Sequence, residues 1–110
     1  MTIPSVTDAT FQAEVLDTAA PVLLKLWAPW CGPCRAMNPV IEEVAAEYAD
    51  EIAVRAANIE ADPAIAERLA VRGIPLLVLF RDGAEVGRVS GVLSKTRVCV
   101  FIDGHLGSAE

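Results

Sequence analysis

Residues 22–34, Val-Leu-Leu-Lys-Leu-Trp-Ala-Pro-Trp-Cys-Gly-Pro-Cys, constrain the fold more than any other stretch of the chain. Val22 to Trp27 is apolar at every position except Lys25, the pattern of a strand buried on both faces. A helical pattern takes over from about Pro33. Gly32 and Pro33 suit that tight start, since proline is tolerated in the first helical turn, where its missing N–H costs nothing. The strand-to-helix junction therefore carries two cysteines, Cys31 at or before the helix N-terminus and Cys34 one turn inside it. The thiolate is the reactive form of cysteine, and unpaired N–H groups and the macrodipole at a helix start stabilise it. The junction is a candidate exchange site: Cys31 attacks a disulfide, and Cys34 resolves the mixed disulfide.

The rest of the chain supplies partners for that strand and helix. Ile3 to Val6 reads as a short strand that Pro4 confines to an edge. Thr7 or Asp8 caps a helix from about Ala9 to Asp17, with Phe11, Val15 and Leu16 on its buried side, and Ala20-Pro21 breaks it. The second helix runs from about Cys34 to Tyr48. It carries Met37, Val40, Ile41, Val44 and Tyr48 at helical spacing, with Glu42, Glu43 and Glu47 towards water and a kink at Pro39. Ile52 to Ile59 is the next strand. Asp62-Pro63 opens a short helix with Ile65 and Leu69 inward, ending near Arg72-Gly73. Leu76 to Phe80 is a strand, and Asp82-Gly83 signals a hairpin into Glu85 to Ser90. Ser94 caps a last helix to about His105, ending near Gly104 and Gly107, with Val98, Phe101, Ile102 and Leu106 as its buried stripe. The order β-α-β-α-β-α-β-β-α predicts an α/β fold. A central mixed sheet of about five strands is flanked by four helices, and the hairpin adds an antiparallel edge to a parallel centre.

At 110 residues the chain is read as one domain, 1–110. A hydrophobic share of 54% against 22% charged residues argues for a compact globule. A net charge of −6 with scattered Lys and Arg gives no nucleic-acid footprint. The longest apolar runs, such as Ile74 to Phe80, fall far short of the roughly 20 residues that span a bilayer. Met1 to Asp17 lacks the basic start and apolar core of a signal peptide, so a cytoplasmic protein is expected. There thiols stay reduced, and a cysteine pair is more often catalytic or metal-binding than structural. A structural zinc site needs four ligands, and the remaining candidates, Cys99 and His105, have a spacing unlike a zinc knuckle. A redox dithiol with no metal is the preferred reading. Cys99 is read as a small hydrophobe on the flank of the last helix, the alternative being a thiol that oxidises or bridges two copies. His105 is read as a partner of the helix dipole. Trp27 is read as a core aromatic, and Trp30 as a shield over the dithiol and a flat contact for substrate.

The sequence Trp30-Cys31-Gly32-Pro33-Cys34 follows a β-rich run. After it come Asn58-Ile59-Glu60, Val71-Arg72-Gly73-Ile74-Pro75, Phe80-Arg81-Asp82-Gly83 and Ser90-Gly91-Val92, in that order. Together they resemble the thioredoxin family from end to end. The resemblance implies the thioredoxin fold and a protein-disulfide reductase in which the Cys31–Cys34 pair is the redox-active disulfide and no cofactor is needed. It makes Pro75 a cis-proline packed beside the cysteines. It places Trp30, Gly73, Ile74, Gly91 and Val92 on the substrate face, where the Ile74 backbone pairs with an extended client strand. It also implies electrons from a flavin-dependent thioredoxin reductase, disulfide-containing client proteins, a monomer, and a part in electron transport and cell redox homeostasis. The alternatives are a thiol oxidant or isomerase of raised redox potential, and a non-catalytic binding module. The last would not need both cysteines.

Two positions depart from the family's pattern. Leu76 stands where threonine usually follows the proline, which makes the wall of the site more apolar. Lys25 stands where an aspartate usually lies beneath the dithiol as proton acceptor, and the usual partner lysine on the neighbouring strand is here Ala56. The carboxylate relay therefore does not carry over. Lys25 is expected to act in one of three ways: as a neutral amine that takes the proton of Cys34, as a cation that favours the thiolate, or as a side chain that snorkels to water. An electrostatic influence on the cysteines is the favoured reading.

Overall fold

A computed structural model describes residues 3–106. Four strands, β1 (Val22–Trp27), β2 (Ala53–Asn58), β3 (Leu76–Arg81) and β4 (Ala84–Ser90), form one mixed sheet in the order β2-β1-β3-β4. The helices are α1 (Gly32–Ala36), α2 (Asn38–Glu47), α3 (Pro63–Arg68) and α4 (Lys95–Leu106), preceded by a single π-type turn at Gln12–Leu16.

Among the described residues the sheet has four strands, where about five are expected. Ile3 to Val6 contributes only one bridge, Ser5 opposite Ala56 on the outer edge of β2. Ala56 donates to the Pro4 carbonyl at 3.0 Å and accepts the Val6 amide at 2.8 Å. Pro4 has no N–H to extend this into a ladder.

The antiparallel share is also larger than expected. Only β1 and β2 run parallel, while β3 is antiparallel to both β1 and β4. The chain starts β3 at the end of the sheet where β2 stops, with Leu76 facing Leu26.

The expected helix from Cys34 to Tyr48 is divided at Met37 into α1 and α2. Pro39 cannot donate to the Arg35 carbonyl, so the hydrogen-bond ladder breaks there. The Met37 side chain is fully buried at the break, and its Sδ accepts the Leu93 amide at 3.1 Å. The first helix is also shorter than the sequence suggested, and α3 ends at Arg68 instead of near Arg72-Gly73. Leu69 and Ala70 turn out of α3, with Ala70 in the left-handed region at φ 53° and the Val71 amide reaching back to the Ala66 carbonyl. At the hairpin both central residues have positive φ, 53° at Asp82 and 80° at Gly83, as a type I′ turn requires. Ser94 Oγ accepts the Arg97 amide at the start of α4, as expected of a cap. Gly107 lies outside the described residues.

Alternation along β1 sorts the core into two layers. Leu23 faces Ile41, Val44 and the α4 residues Val98 and Ile102, whereas Val22, Leu24 and Leu26 face Phe11, Val15 and Ile65. Lys25 therefore points towards the α2 side of the sheet, directly under α1.

Candidate active site

The end of β1 delivers the chain to Trp27 and Ala28, and the Cys31 amide folds back onto the Ala28 carbonyl at 3.0 Å. Arg35 Nη1 donates to the Pro29 carbonyl at 2.8 Å, which closes the loop from the other side. Cys31 caps α1 from an extended backbone (φ −90°, ψ 101°), and its Sγ accepts the Cys34 amide at 3.1 Å. Pro33 occupies the first turn. The two cysteines form a disulfide with their Cα atoms 5.3 Å apart. Both cysteines are buried, Cys34 at 1% and Cys31 at 4% exposure. An acceptor sulfur at a helix cap is where a thiolate gains both a backbone donor and the dipole.

Around the pair the structure collects most of the residues picked from the sequence. The Ile74–Pro75 peptide is cis, as the resemblance implied. Ile74 packs against the cysteine cluster together with Trp27 and Ile59. Trp30, Gly73 and Ile74 share one cleft of about 270 Å³ with Ile59, Val71 and Arg72. Trp30 stands 65% exposed over it. Gly91, at φ 94°, donates its amide to the Pro75 carbonyl at 2.9 Å, which brings the loop after β4 to the proline. Val92 is exposed on that loop and lies outside the cleft lining.

Lys25 does not snorkel. It is 2% exposed, between Ala56 on β2 and Leu77 on β3. Its Nζ donates to the Cys34 carbonyl at 2.9 Å and, in a short contact, to Asn38 Oδ1. Burial pulls its pKa below the usual lysine value of 10.5. A second cleft of about 360 Å³ opens beside it, lined by Ile3, Ser5, Trp27, Cys34, Arg35 and Asn38.

Two residues of the site escaped the sequence reading. Asn38 follows Cys34 at the helical spacing of four, a signal that any residue of a continuous helix there would share. Glu60 belongs to the Asn58-Ile59-Glu60 motif, and its Oε2 accepts the Trp30 indole N–H at 3.0 Å. Cys99 is a free thiol, half-buried and packed against the core, and Val100 beside it is exposed. His105 Nδ1 lies 2.9 Å from the Phe101 carbonyl of its own helix. Among the described residues no group of three or more His, Cys, Asp or Glu could hold a metal ion, and no helix is long and apolar enough to cross a membrane.

The thioredoxin family model matches residues 2–104. Thioredoxin 1 of Synechococcus elongatus is 45% identical over 102 residues, covering 93% of this chain and 95% of that protein. Thioredoxin 1 of a Nostoc species is 44% identical over 101 residues, covering 92% and 94%. The thioredoxin of Pseudomonas aeruginosa is 41% identical over 104 residues, covering 94% and 96%. With a capped, proline-started dithiol helix beside a cis-proline and similarity of this extent, the chain belongs to the thioredoxin family and is a protein-disulfide oxidoreductase that works by dithiol–disulfide exchange at Cys31 and Cys34.

Proposed function

We propose that the protein reduces disulfides of client proteins in the cytoplasm, with Cys31 as the attacking thiolate and Cys34 as the resolving thiol. The observation that carries this assignment is the position of Cys31 Sγ, at the cap of α1 and within 3.1 Å of the Cys34 amide. In the reduced protein the same donor stabilises a Cys31 thiolate. That thiolate attacks one sulfur of a client disulfide, the client S–S bond breaks, and the other client sulfur leaves as a thiolate. Cys34 then loses its proton and attacks Cys31 Sγ. The mixed disulfide breaks, the second client sulfur leaves, and the Cys31–Cys34 bond forms. Two electrons pass to the client, and a dithiol partner, a flavin-dependent thioredoxin reductase, returns the pair to its reduced state. The cysteines are the only redox group required.

Clients dock on Trp30, Gly73, Ile74, Gly91 and Val92, with Gly32, Pro33 and Pro75 shaping the site and Lys25 tuning the pair. The shared cleft under Trp30 and the Gly91–Pro75 hydrogen bond support this surface. The protein acts as a monomer in electron transport and redox homeostasis. A second reading, a thiol oxidant, gains support from one observation, the burial of Lys25 against the Cys34 carbonyl.

The test is a trap. Cys34→Ser should accumulate mixed disulfides between Cys31 and client proteins and lose turnover, while Cys31→Ser should form none. Adducts through Cys34 in the Cys31→Ser protein, in place of those through Cys31, would reverse the roles.

A further inference from the structure

Lys25 is a buried lysine whose hydrogen bonds go to neutral groups. The Cys34 carbonyl and the Asn38 amide oxygen accept its N–H groups without supplying a negative charge. Its cleft contributes Ile3, Ser5, Trp27, Arg35 and Cys34, none of them a carboxylate. On the flanking strands Ala56 and Leu77 are apolar, and Arg55 next to Ala56 is paired with Glu14 at 3.5 Å. The charged groups of α1 and α2 are Arg35, a second cation bound to the Pro29 carbonyl, Glu43 and Glu47, both paired with Lys95, and Glu42, half-buried one turn beyond Asn38; none of the three carboxylates lines the cleft. A buried ion is costly unless it is paired, and in the disulfide state the lining offers it dipoles only.

We propose that Lys25, held under the dithiol by Asn38, is a cationic positioning group whose counter-charge is the thiolate created when the Cys31–Cys34 bond is reduced. The inference rests on the exchange reading above and adds its direction. Reduction by two glutathione thiols places two electrons on the pair and breaks its S–S bond. With Lys25 charged, one sulfur stays as thiolate and the pair keeps one proton fewer than a neutral dithiol. The buried cation gains a partner in the reduced state alone, so it favours the dithiol over the disulfide and makes the disulfide more oxidising. Asn38 is needed because an amide oxygen fixes the ammonium without neutralising it.

The experiment uses the full chain and reads two quantities, the thiol–disulfide equilibrium with glutathione and the thiolate titration of the reduced pair by ultraviolet absorbance. In Lys25→Met the equilibrium should move about tenfold towards the disulfide, equivalent to a rise of about one unit in the thiol titration. The pH dependence near neutrality should steepen, because reduction then takes up the second proton. Asn38→Asp, which sets a carboxylate beside the ammonium, should move both readings the same way with Lys25 still present. Asn38→Ala should move them less. If Lys25→Met and Asn38→Asp leave equilibrium and titration unmoved, or lower the thiol titration, the proposal is overturned. Should Lys25→Met not fold, Lys25→Gln, which keeps an N–H donor without the charge, takes its place, because the carboxylate of Asn38→Asp also repels the thiolate directly. The exchange reading fails separately, by loss of the Cys34→Ser trap. A working trap with an unmoved equilibrium sinks only the role given to Lys25.

Discussion

Trp30 donates its indole N–H to Glu60 Oε2 at 3.0 Å, so a 65% exposed ring is tethered to the turn that follows β2. The turn is itself fixed, because Asn58 Oδ1 accepts the Glu60 amide at 2.9 Å. The orientation of the ring over the cleft of Gly73 and Ile74 is thus set by a side chain that touches neither cysteine.

Glu60→Ala should release the ring and leave the fold intact. An exposed hydrogen bond of this kind is worth about 0.5–1 kcal/mol, so kcat/KM for a protein disulfide should fall about two- to fivefold. Reduction of a small disulfide that does not reach the ring should be unchanged. Equal losses on both substrates would mean that Glu60 acts on the dithiol and not on docking.

Ala70 holds the left-handed position that ends α3, where glycine is the usual residue. It is exposed, and its conformation costs about 1–2 kcal/mol in an L-residue. Ala70→Gly removes that cost but adds unfolded-state entropy of about 0.4–1 kcal/mol. The strain is the larger of the two, so the variant should be more stable by about 0.5–1 kcal/mol in urea denaturation, with an unchanged m-value.

The reverse applies at Gly83. Its φ is 80°, and a Cβ there would lie 2.8 Å from the Leu16 carbonyl oxygen, which is backbone and cannot swing aside. Gly83→Ala should cost about 2–3 kcal/mol from backbone strain and the clash together. Asp82→Gly at the neighbouring positive φ should be close to neutral. A small loss at Gly83 would show that the hairpin can move away from Leu16.

Features set by a few neighbouring residues could be read from the sequence. The Asp82-Gly83 turn, the Ser94 cap, the proline-started helix at Cys31 and the buried run of β1 all depend on contacts within a turn or a strand. What failed depended on distance through space. Nothing local to Pro4 says that its segment forms one bridge, and nothing local to Leu76–Arg81 says which way that strand runs beside β1. Ala70 carries no signal of a left-handed cap, because alanine is a helix former by propensity. Asn38 and Glu60 act through Lys25 and Trp30, 13 and 30 residues away, so only the folded chain reveals them. Lys25 is the instructive case. Its charge in an apolar strand marked the site, while its partners could not be named until α2 was placed over it.

That same burial makes Lys25 a stability liability with a definite pH signature. Removing an ammonium from water costs several kcal/mol, and its two neutral acceptors return only part of that. Lys25→Met keeps much of the stem's packing, removes the charge, and leaves the Asn38 amide to the open cleft, where water can reach it. The Cys34 carbonyl loses a donor, which limits the gain, so the oxidised variant should be more stable by about 1–2 kcal/mol at neutral pH. The folded-state pKa of Lys25 lies below its unfolded value of 10.5, so between the two the unfolded chain binds more protons and stability of the native protein rises with pH. The penalty is complete below the lowered folded pKa and fades as pH climbs towards 10.5. The advantage of Lys25→Met should accordingly shrink across that alkaline window, with other titrations cancelling in the difference. Urea denaturation of both oxidised proteins at neutral and alkaline pH measures it. An advantage that stays constant with pH would mean that Lys25 enters the fold already neutral, and the gain would then be one of packing.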